Sequence, residues 1–579
     1  MWPPPNEPDK ATPVPLRDKM WPPSKEADKA TLGPLMDKLL DAFQHLHRLS
    51  GSAEAEQAVD ELIRQLEDAG LSPERKSCQL YLSDPIAGSL VLPDFPQWQG
   101  LAKTRSFSAS CPEGISAPLI YDERSLQAIS DSAEWESAIC GRIVIADQGF
   151  EEYVQRLVRG GALGLIHIWG SAEEALHEET VGPVWGAPVP DDLALYPILP
   201  IISVSHKQGQ LLLDIIHHQN QPVIAKISTM LNEHIAECSL PVVDIAGEID
   251  EFVLLSSHYD SWHEGMTDNA TGNALCLAVA AHFHHQPQSR RGLRIAWWPG
   301  HSNARYGGSG WYADHHRQTL QQNCVAHINV DSPGCKEATE VVVNASGAED
   351  IAFLHRSVRQ ITGKEVKRIT PLGKGGDQSF WGCGIPLHFA FREEPETRSS
   401  QSPGSGGGWW WHTEEDTRDK VDDTILWRDC QIHIGWLNEL LYQEQLPVDP
   451  AHYLRQLLEE LASLQCCLDP QFDLIKIREK LIVLEQQVSA MNDRDWHGEY
   501  NVINQFVAIL HRVRYSSTDD FHFDRSYRGG AFPGLQILCG QRQESTSSLT
   551  FLAMTTQYIR QRDRALSLLS LSQALLAGH

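Results

Sequence analysis

The sequence predicts an α/β protein built on a mixed, mostly parallel central sheet flanked by helices. Two observations carry this. Between 236 and 445, short apolar runs (VLLSSH, LRIAWWPG, CVAHINVD, IPLHFAF) alternate with helical stretches such as GNALCLAVAAHFHH, the order that a sheet with crossover helices requires. Several of these runs end in histidine or aspartate, and open α/β sheets place their sites at the carboxyl ends of their strands.

Residues 1–12 (MWPPPNEPDKAT) recur almost intact at 20–31 (MWPPSKEADKAT), a Pro-rich and charged duplication that predicts a flexible segment over 1–34. From Leu35 to Gly70 the pattern is helical, with Ala58, Leu62 and Leu66 at spacing four and Gly70 as a stop. Residues 35–84 and 226–445 then make the main domain. Between 85 and 225 the texture changes to short strands and turns. GRIVIADQG, the helix EEYVQRLVRGGALG and the strand LIHIW read as a βαβ unit, so this stretch is an α/β insert. After Leu446 the amphipathic segments PAHYLRQLLEELASLQ, DLIKIREKLIVLEQQVSAM and DRALSLLSLSQALLA predict a helical C-terminal domain over 446–579, a packing or homodimer surface.

With 48 Lys plus Arg against 76 Asp plus Glu, the net charge of -28 argues against nucleic acid or an anionic membrane as a partner. No apolar run approaches the length of a membrane span, and the N-terminus lacks the charged-then-apolar order of a secretory signal. Twelve cysteines without CxxC pairs fit reduced thiols, so a cytoplasmic location is expected.

The stretch FVLLSSHYDSWHEGMTDNATG, 252–272, carries the densest chemistry. A buried strand delivers His258, Asp260 and Asp268 into one crevice. His258 and Asp268 suit zinc or a similar divalent ion, and Asp260, two residues on, can hold His258 in place. HINVDSPG ends another strand in Asp331. GKGGDQSFWG sets Asp377 in a glycine turn, and a Gly-rich loop leads through WWW to His412 in HTEEDTRDKVD. Arg305, Tyr306 and Asp377, and Trp411 with its two preceding tryptophans, are candidate substrate contacts: a guanidinium receives a carboxylate and an aromatic wall receives a ring.

This order of motifs resembles the zinc aminopeptidase and glutamate carboxypeptidase family, and HYDSW looks like its carboxypeptidase and transferrin-receptor branch. The IVIADQG and GGALGLI phrases resemble the protease-associated domain found inserted in such peptidases. The resemblance implies that His258, Asp268, Asp331 and His412 ligate one or two divalent ions, zinc first. It also implies that Asp268 bridges two ions and that Asp260 orients His258.

One departure matters for mechanism. Where the family carries two adjacent glutamates, a general base and a ligand, this chain has PGHSNARYGGSG, with His301 and Ser302 at those places. Three readings stay open: His301 is a metal ligand completing a His301, Asp268, His412 set; it is the proton acceptor; or it is neither. Glu264 and His263, then Glu393 and Glu394, are the other candidates for the base. The expected activity is metal-dependent hydrolysis of an amide-like C–N bond in a peptide or small N-acyl substrate. The alternatives are a lyase or cyclase on the same scaffold, or a catalytically silent binding homologue.

Overall fold

A computed structural model describes residues 26–98, 100–126, 133–397, 406, 408–491, 500–525 and 530–577. The first 25 residues of the expected Pro-rich segment, and residues 402–405 and 407 of the glycine loop before His412, lie outside the described residues. Helix Glu26–Phe43 begins inside the stretch expected to be flexible and buries Leu32, so residues 26–34 belong to the folded body. The end of the repeat and the residues that follow it form this helix because its apolar face has the central domain to pack on.

The architecture is mixed α/β. Four parallel strands form the centre, in the spatial order Leu387–Glu394, Cys324–Asn329, Phe252–His258 and Gly292–Trp298. Phe252–His258 and Cys324–Asn329 are buried along their whole length, as strands covered on both faces must be, which is why they read as continuous apolar runs. Helix Thr271–His284 packs beneath them and is buried nearly all round. The N-terminal helices share its hydrophobic cluster. Helix Gly307–Asn323 contributes Tyr312, Ala313 and Leu320 to a second cluster with the strands. The C-terminal helices Pro450–Cys467, Ile475–Met491, Tyr500–Tyr515 and Ser548–Ala577 join the first cluster, so they extend the main core. Among the described residues no helix is long and apolar enough to cross a membrane.

Two strands much longer than the sequence suggests connect this body to the insert. Glu74–Val91 and Ile224–Ile245 run antiparallel from Glu74↔Val242 to Val91↔Lys226. One end of Ile224–Ile245 pairs with Gly292–Trp298 of the main sheet and the other with Cys111–Tyr121 of the insert, so a single strand is shared by both. At about 3.3 Å per residue it spans roughly 70 Å. Its length is hidden in the sequence because Asp84 and Pro85 break the partner's alternation, and the register shifts there. The insert itself carries parallel strands Ile143–Ala146, Gly164–Ile168 and Ile201–Val204 beside Cys111–Tyr121, with helices Glu151–Arg159 and His206–His217.

The N-terminal helices also anchor the loop that follows His258. Arg48, fully buried, donates to the carbonyls of Tyr259 at 3.0 Å, Glu264 at 2.5 Å and Gly265 at 3.0 Å. One guanidinium thus satisfies three carbonyls of a loop that has no ladder of its own. Arg48→Met leaves those carbonyls without donors, and a loss of about 2–4 kcal/mol is expected, from ~1–3 kcal/mol for each orphaned buried group less relaxation. Urea unfolding of the variant checks this; a midpoint within error of the parent's would contradict it.

Candidate metal centre

Asp268 lies between two imidazoles. Its Oδ1 is 3.1 Å from His258 Nε2 and its Oδ2 is 3.1 Å from His412 Nε2. Asp331 Oδ1 is 3.7 Å from the same nitrogen of His258. Two strand ends and two irregular segments, 154 residues apart at the extremes, thus converge on one point.

The orientation of each ring is fixed from behind. His258 Nδ1 meets the Asp260 carbonyl at 2.9 Å and His412 Nδ1 meets the Glu178 carbonyl at 2.9 Å. A carbonyl only accepts, so each Nδ1 carries the proton and each Nε2 presents a lone pair. The Asp260 carboxylate, expected to orient His258 directly, stands 3.7 Å from its Nδ1 and instead receives the backbone N–H groups of His301 at 3.2 Å and Ser302 at 3.0 Å. Asp260 therefore holds His258 with its carbonyl and the following turn with its side chain.

Asp268 is placed by two residues that sequence reasoning passed over. The Asp416 carboxylate accepts from Thr267 N at 2.9 Å, Thr267 Oγ1 at 2.8 Å and Asp268 N at 3.0 Å. Burial pushes Asp416 up to about 6 despite these donors. Asn269 donates to Ser257 Oγ and the Val330 carbonyl, and accepts from Ser332 N and Gly272 N, so one amide joins both ligand-bearing strand ends to the helix start. The acidic residue of HTEEDT is the visible signal for Asp416; Asn269 has none beyond its neighbour.

The electrostatics favour a cation. Burial opposes ionisation of Asp268, but the His258 and His412 imidazoles against its two oxygens outweigh it and hold the carboxyl well below its ordinary range. Burial likewise lowers His412, and Asp268, with a smaller contribution from Glu179, raises it overall. Among the described residues, His258 Nε2 and Asp268 Oδ1 are buried without a hydrogen-bond partner, facing each other at 3.1 Å. Two lone-pair donors left bare in the interior are costly unless a third body takes both, and imidazole with carboxylate is a zinc-type donor set. The residues fit a divalent ion.

His301 stands beside this centre. Its ring stacks on His258, centroids 3.7 Å apart and planes 9° from parallel. A ligand atom of His301 lies within 4.8 Å of those of His258 and Asp331. Its Nδ1 meets Asp377 Oδ2 at 2.7 Å. The other oxygen of Asp377 accepts from Ser309 Oγ at 2.7 Å; Ser309 contacts Ser379 Oγ at 2.9 Å, to which Trp185 Nε1 donates at 2.8 Å. Asp377, expected as a substrate contact, is fully buried and works behind His301 instead. His412 (φ 60°), Asp377 (φ 58°), Arg305 (φ 45°) and Tyr306 (φ 65°) all take left-handed backbone, a conformation costing roughly 1–3 kcal/mol each and concentrated where sites are held in shape.

Asp268, His301, Asp331 and His412 border a cavity of about 560 Å³ lined also by Trp262, Tyr306, Trp411, Arg392 and, from the insert, Glu151 and Glu179. Tyr306 packs edge-on to His301, and Trp411 stacks on His412 with centroids 3.4 Å apart. Arg305 borders the cavity, but its guanidinium is paired with Glu151 of the insert and so does not stand ready for a substrate carboxylate. Glu264 is turned to His45, 3.0 Å away, outside the cavity lining. His263 faces Glu178 at 3.2 Å. Glu393 is buried against Arg428, and Glu394 makes a bidentate pair with Arg368.

The Asp377 carboxylate fixes the proton of His301 on Nδ1. Asp377→Asn removes that acceptor's charge, and the ¹⁵N spectrum of selectively labelled His301 should move from the Nδ1–H form toward a tautomeric mixture. An unchanged spectrum would show that Asp377 does not set the tautomer.

Residues 242–434 match the model of Peptidase family M28. A stretch of 88 residues, 14% of this chain, is 32% identical to a probable glutamate carboxypeptidase VP8 of Zea mays and spans 12% of that protein's length. Three solved structures share the fold. The aminopeptidase from Aneurinibacillus sp. strain AM-1 superposes with a TM-score of 0.55 at 17% identity, covering 73% of this chain and 98% of that one. BSAP, a zinc aminopeptidase from Bacillus subtilis, gives 0.53 at 17% identity over 72% and 97%. A Peptidase M28 precursor from Shewanella amazonensis SB2B gives 0.56 at 16% identity over 73% and 99%. At these identities the likeness is one of fold.

Proposed function

We propose, from the premise that this chain carries a Peptidase family M28 domain at residues 242–434, that it is a metal-dependent hydrolase cleaving an amide-like C–N bond in a peptide or small N-acyl substrate. The observation that carries this is Asp268 shared at 3.1 Å by the lone-pair nitrogens of His258 and His412, on the floor of a cavity large enough for a small substrate. His258, Asp268, Asp331 and His412 are the residues that would hold a divalent ion, zinc by the nature of the donors. Such an ion, when bound, polarises a carbonyl and acidifies water.

The chain's own side chains supply the rest. Trp411 against His412 and Tyr306 against His301 offer aromatic walls. The family's general base is absent from the 301–302 turn, so the proton must go elsewhere. Among the carboxylates bordering the cavity, Glu151, Glu393 and Glu394 are each paired with an arginine. Glu179, on the insert, accepts from its neighbour Thr180 N at 3.0 Å and makes no ion pair within 4.0 Å among the described residues, although its charge is felt by Arg105, Arg305 and His412. Its carboxylate is the group suited to accept a proton from attacking water and return it to the leaving nitrogen.

Hydrolysis of a panel of aminoacyl p-nitroanilides and N-acyl amino acids should stop on chelation and return with zinc. Glu179→Gln should lower kcat by about 10²- to 10⁴-fold, the range of a general base, with KM and metal content held. Turnover that survives metal stripping would overturn the reading, and a Glu179→Gln variant with parental kcat would overturn the assignment of the base.

A further inference from the structure

Among the described residues, four lysine and arginine side chains border the cavity, and three of them are neutralised at close range. Arg305 is paired with Glu151, Arg368 with Glu394 through two hydrogen bonds, and Lys374 with Asp524. Arg392 is the exception. Strand alternation brings it there: on Leu387–Glu394 the Phe389 and Phe391 rings are buried in the main core, while Ala390 and Arg392 face the cavity. Its Nε donates to Asn344 Oδ1 at 3.3 Å, and its Nη1 stands 3.6 Å from Asp331 Oδ2. The second contact is too long for a hydrogen bond, and a guanidinium carries five N–H groups.

A second donor meets it from the neighbouring strand. Asn329 is buried, its Oδ1 accepts from Ser256 Oγ at 3.3 Å, and its Nδ2 has no hydrogen-bond partner among the described residues. That side chain borders the same cavity. Gly376, with φ 60°, closes the corner: a Cβ built on it would lie 3.6 Å from Arg392 Nη2 and 3.7 Å from Asn329 Nδ2. The two nitrogens therefore converge on one notch that the glycine leaves open. A buried amide N–H without an acceptor, beside a guanidinium with donors to spare, is a receptor for an anionic oxygen.

Resting on the metal-dependent reading above, in which the ion draws on the charge of Asp331, we propose that Arg392 and Asn329 form a specificity subsite for a free carboxylate of the substrate, on an acidic side chain or at a chain terminus. The guanidinium supplies charge, the amide supplies direction, and Gly376 sets the room. This is the carboxylate contact that Arg305, turned to Glu151, does not make.

The test measures, by isothermal titration calorimetry, how zinc-loaded full-length protein binds glutarate and its half-amide glutaramate. Each probe keeps one carboxylate for the ion, so only the other end differs. Glutarate should bind about 10- to 100-fold more tightly, the effect of hydrogen bonds to a charged group. Arg392→Gln should abolish that preference with zinc content retained. Arg392→Lys should keep part of it, because a point charge remains but the planar fork of donors does not. Asn329→Ser should weaken it in part. Peptide pairs then locate the carboxylate: glutamyl against glutaminyl with an amidated terminus, and free acid against amide with neutral side chains. A higher kcat/KM for the acid in either pair, lost in Arg392→Gln, supports the subsite; no preference in both pairs would overturn it. Equal affinities for the two probes in the parent protein, a comparison that needs no variant to fold, would also overturn it, as would a preference that survives Arg392→Gln. Either result leaves metal-dependent hydrolysis standing. Hydrolysis that survives metal stripping, with the preference for glutarate intact, would overturn the earlier reading alone.

Discussion

A buried carboxylate cannot be left between two imidazoles by accident of packing. Asp268 is kept there because its own N–H and both polar groups of Thr267 are gripped by Asp416, and because the Asn269 amide ties the next residue to Ser257, Val330 and Ser332. Without those partners the loop from Tyr259 to Asn269 would have no reason to bring an anion against the end of a strand. Arg48 contributes the same restraint from below, through carbonyls rather than N–H groups. The centre is therefore a product of loop polar satisfaction, and the sheet supplies only its floor.

The insert is part of that centre. Glu178 and His412 exchange backbone and imidazole hydrogen bonds, Glu178 N to the His412 carbonyl at 2.8 Å and His412 Nδ1 to the Glu178 carbonyl. His177 Nδ1 meets the Trp411 carbonyl at 2.6 Å, and Trp169 stacks on His177 and Trp411. A second chain of contacts runs from Trp185 through Ser379, Ser309 and Asp377 to His301. Both imidazoles that set this site apart, one with its oriented ring and the other in place of a glutamate, are steadied across a boundary between two sheets.

The sheet and the four converging residues were legible in the sequence for two different reasons. His258 and Asp331 follow apolar runs whose burial is obligatory, so their position at strand ends followed from hydropathy alone. Asp268 and His412 were legible only through the order of motifs, since both sit in irregular backbone. Glu264 and Arg305 went astray because proximity in sequence was read as proximity in space: a left-handed residue at His263 (φ 54°) turns the chain before Glu264, and Arg305 is taken by Glu151 at the start of a helix in the insert. Asp377 was placed in the right region but on the wrong side of His301, because nothing in GKGGDQS says which face of its turn is buried. Glu179 could not have been found, since the fold of the insert decides that its loop, and no other, reaches the cavity.

The carbonyl of Glu178 that steadies His412 has a thermodynamic counterpart. Docking of the insert and order at the imidazole are two ends of one equilibrium, so whatever loosens one loosens the other by an equal free energy. The long shared strand is a second, separate tie between the insert and the main sheet.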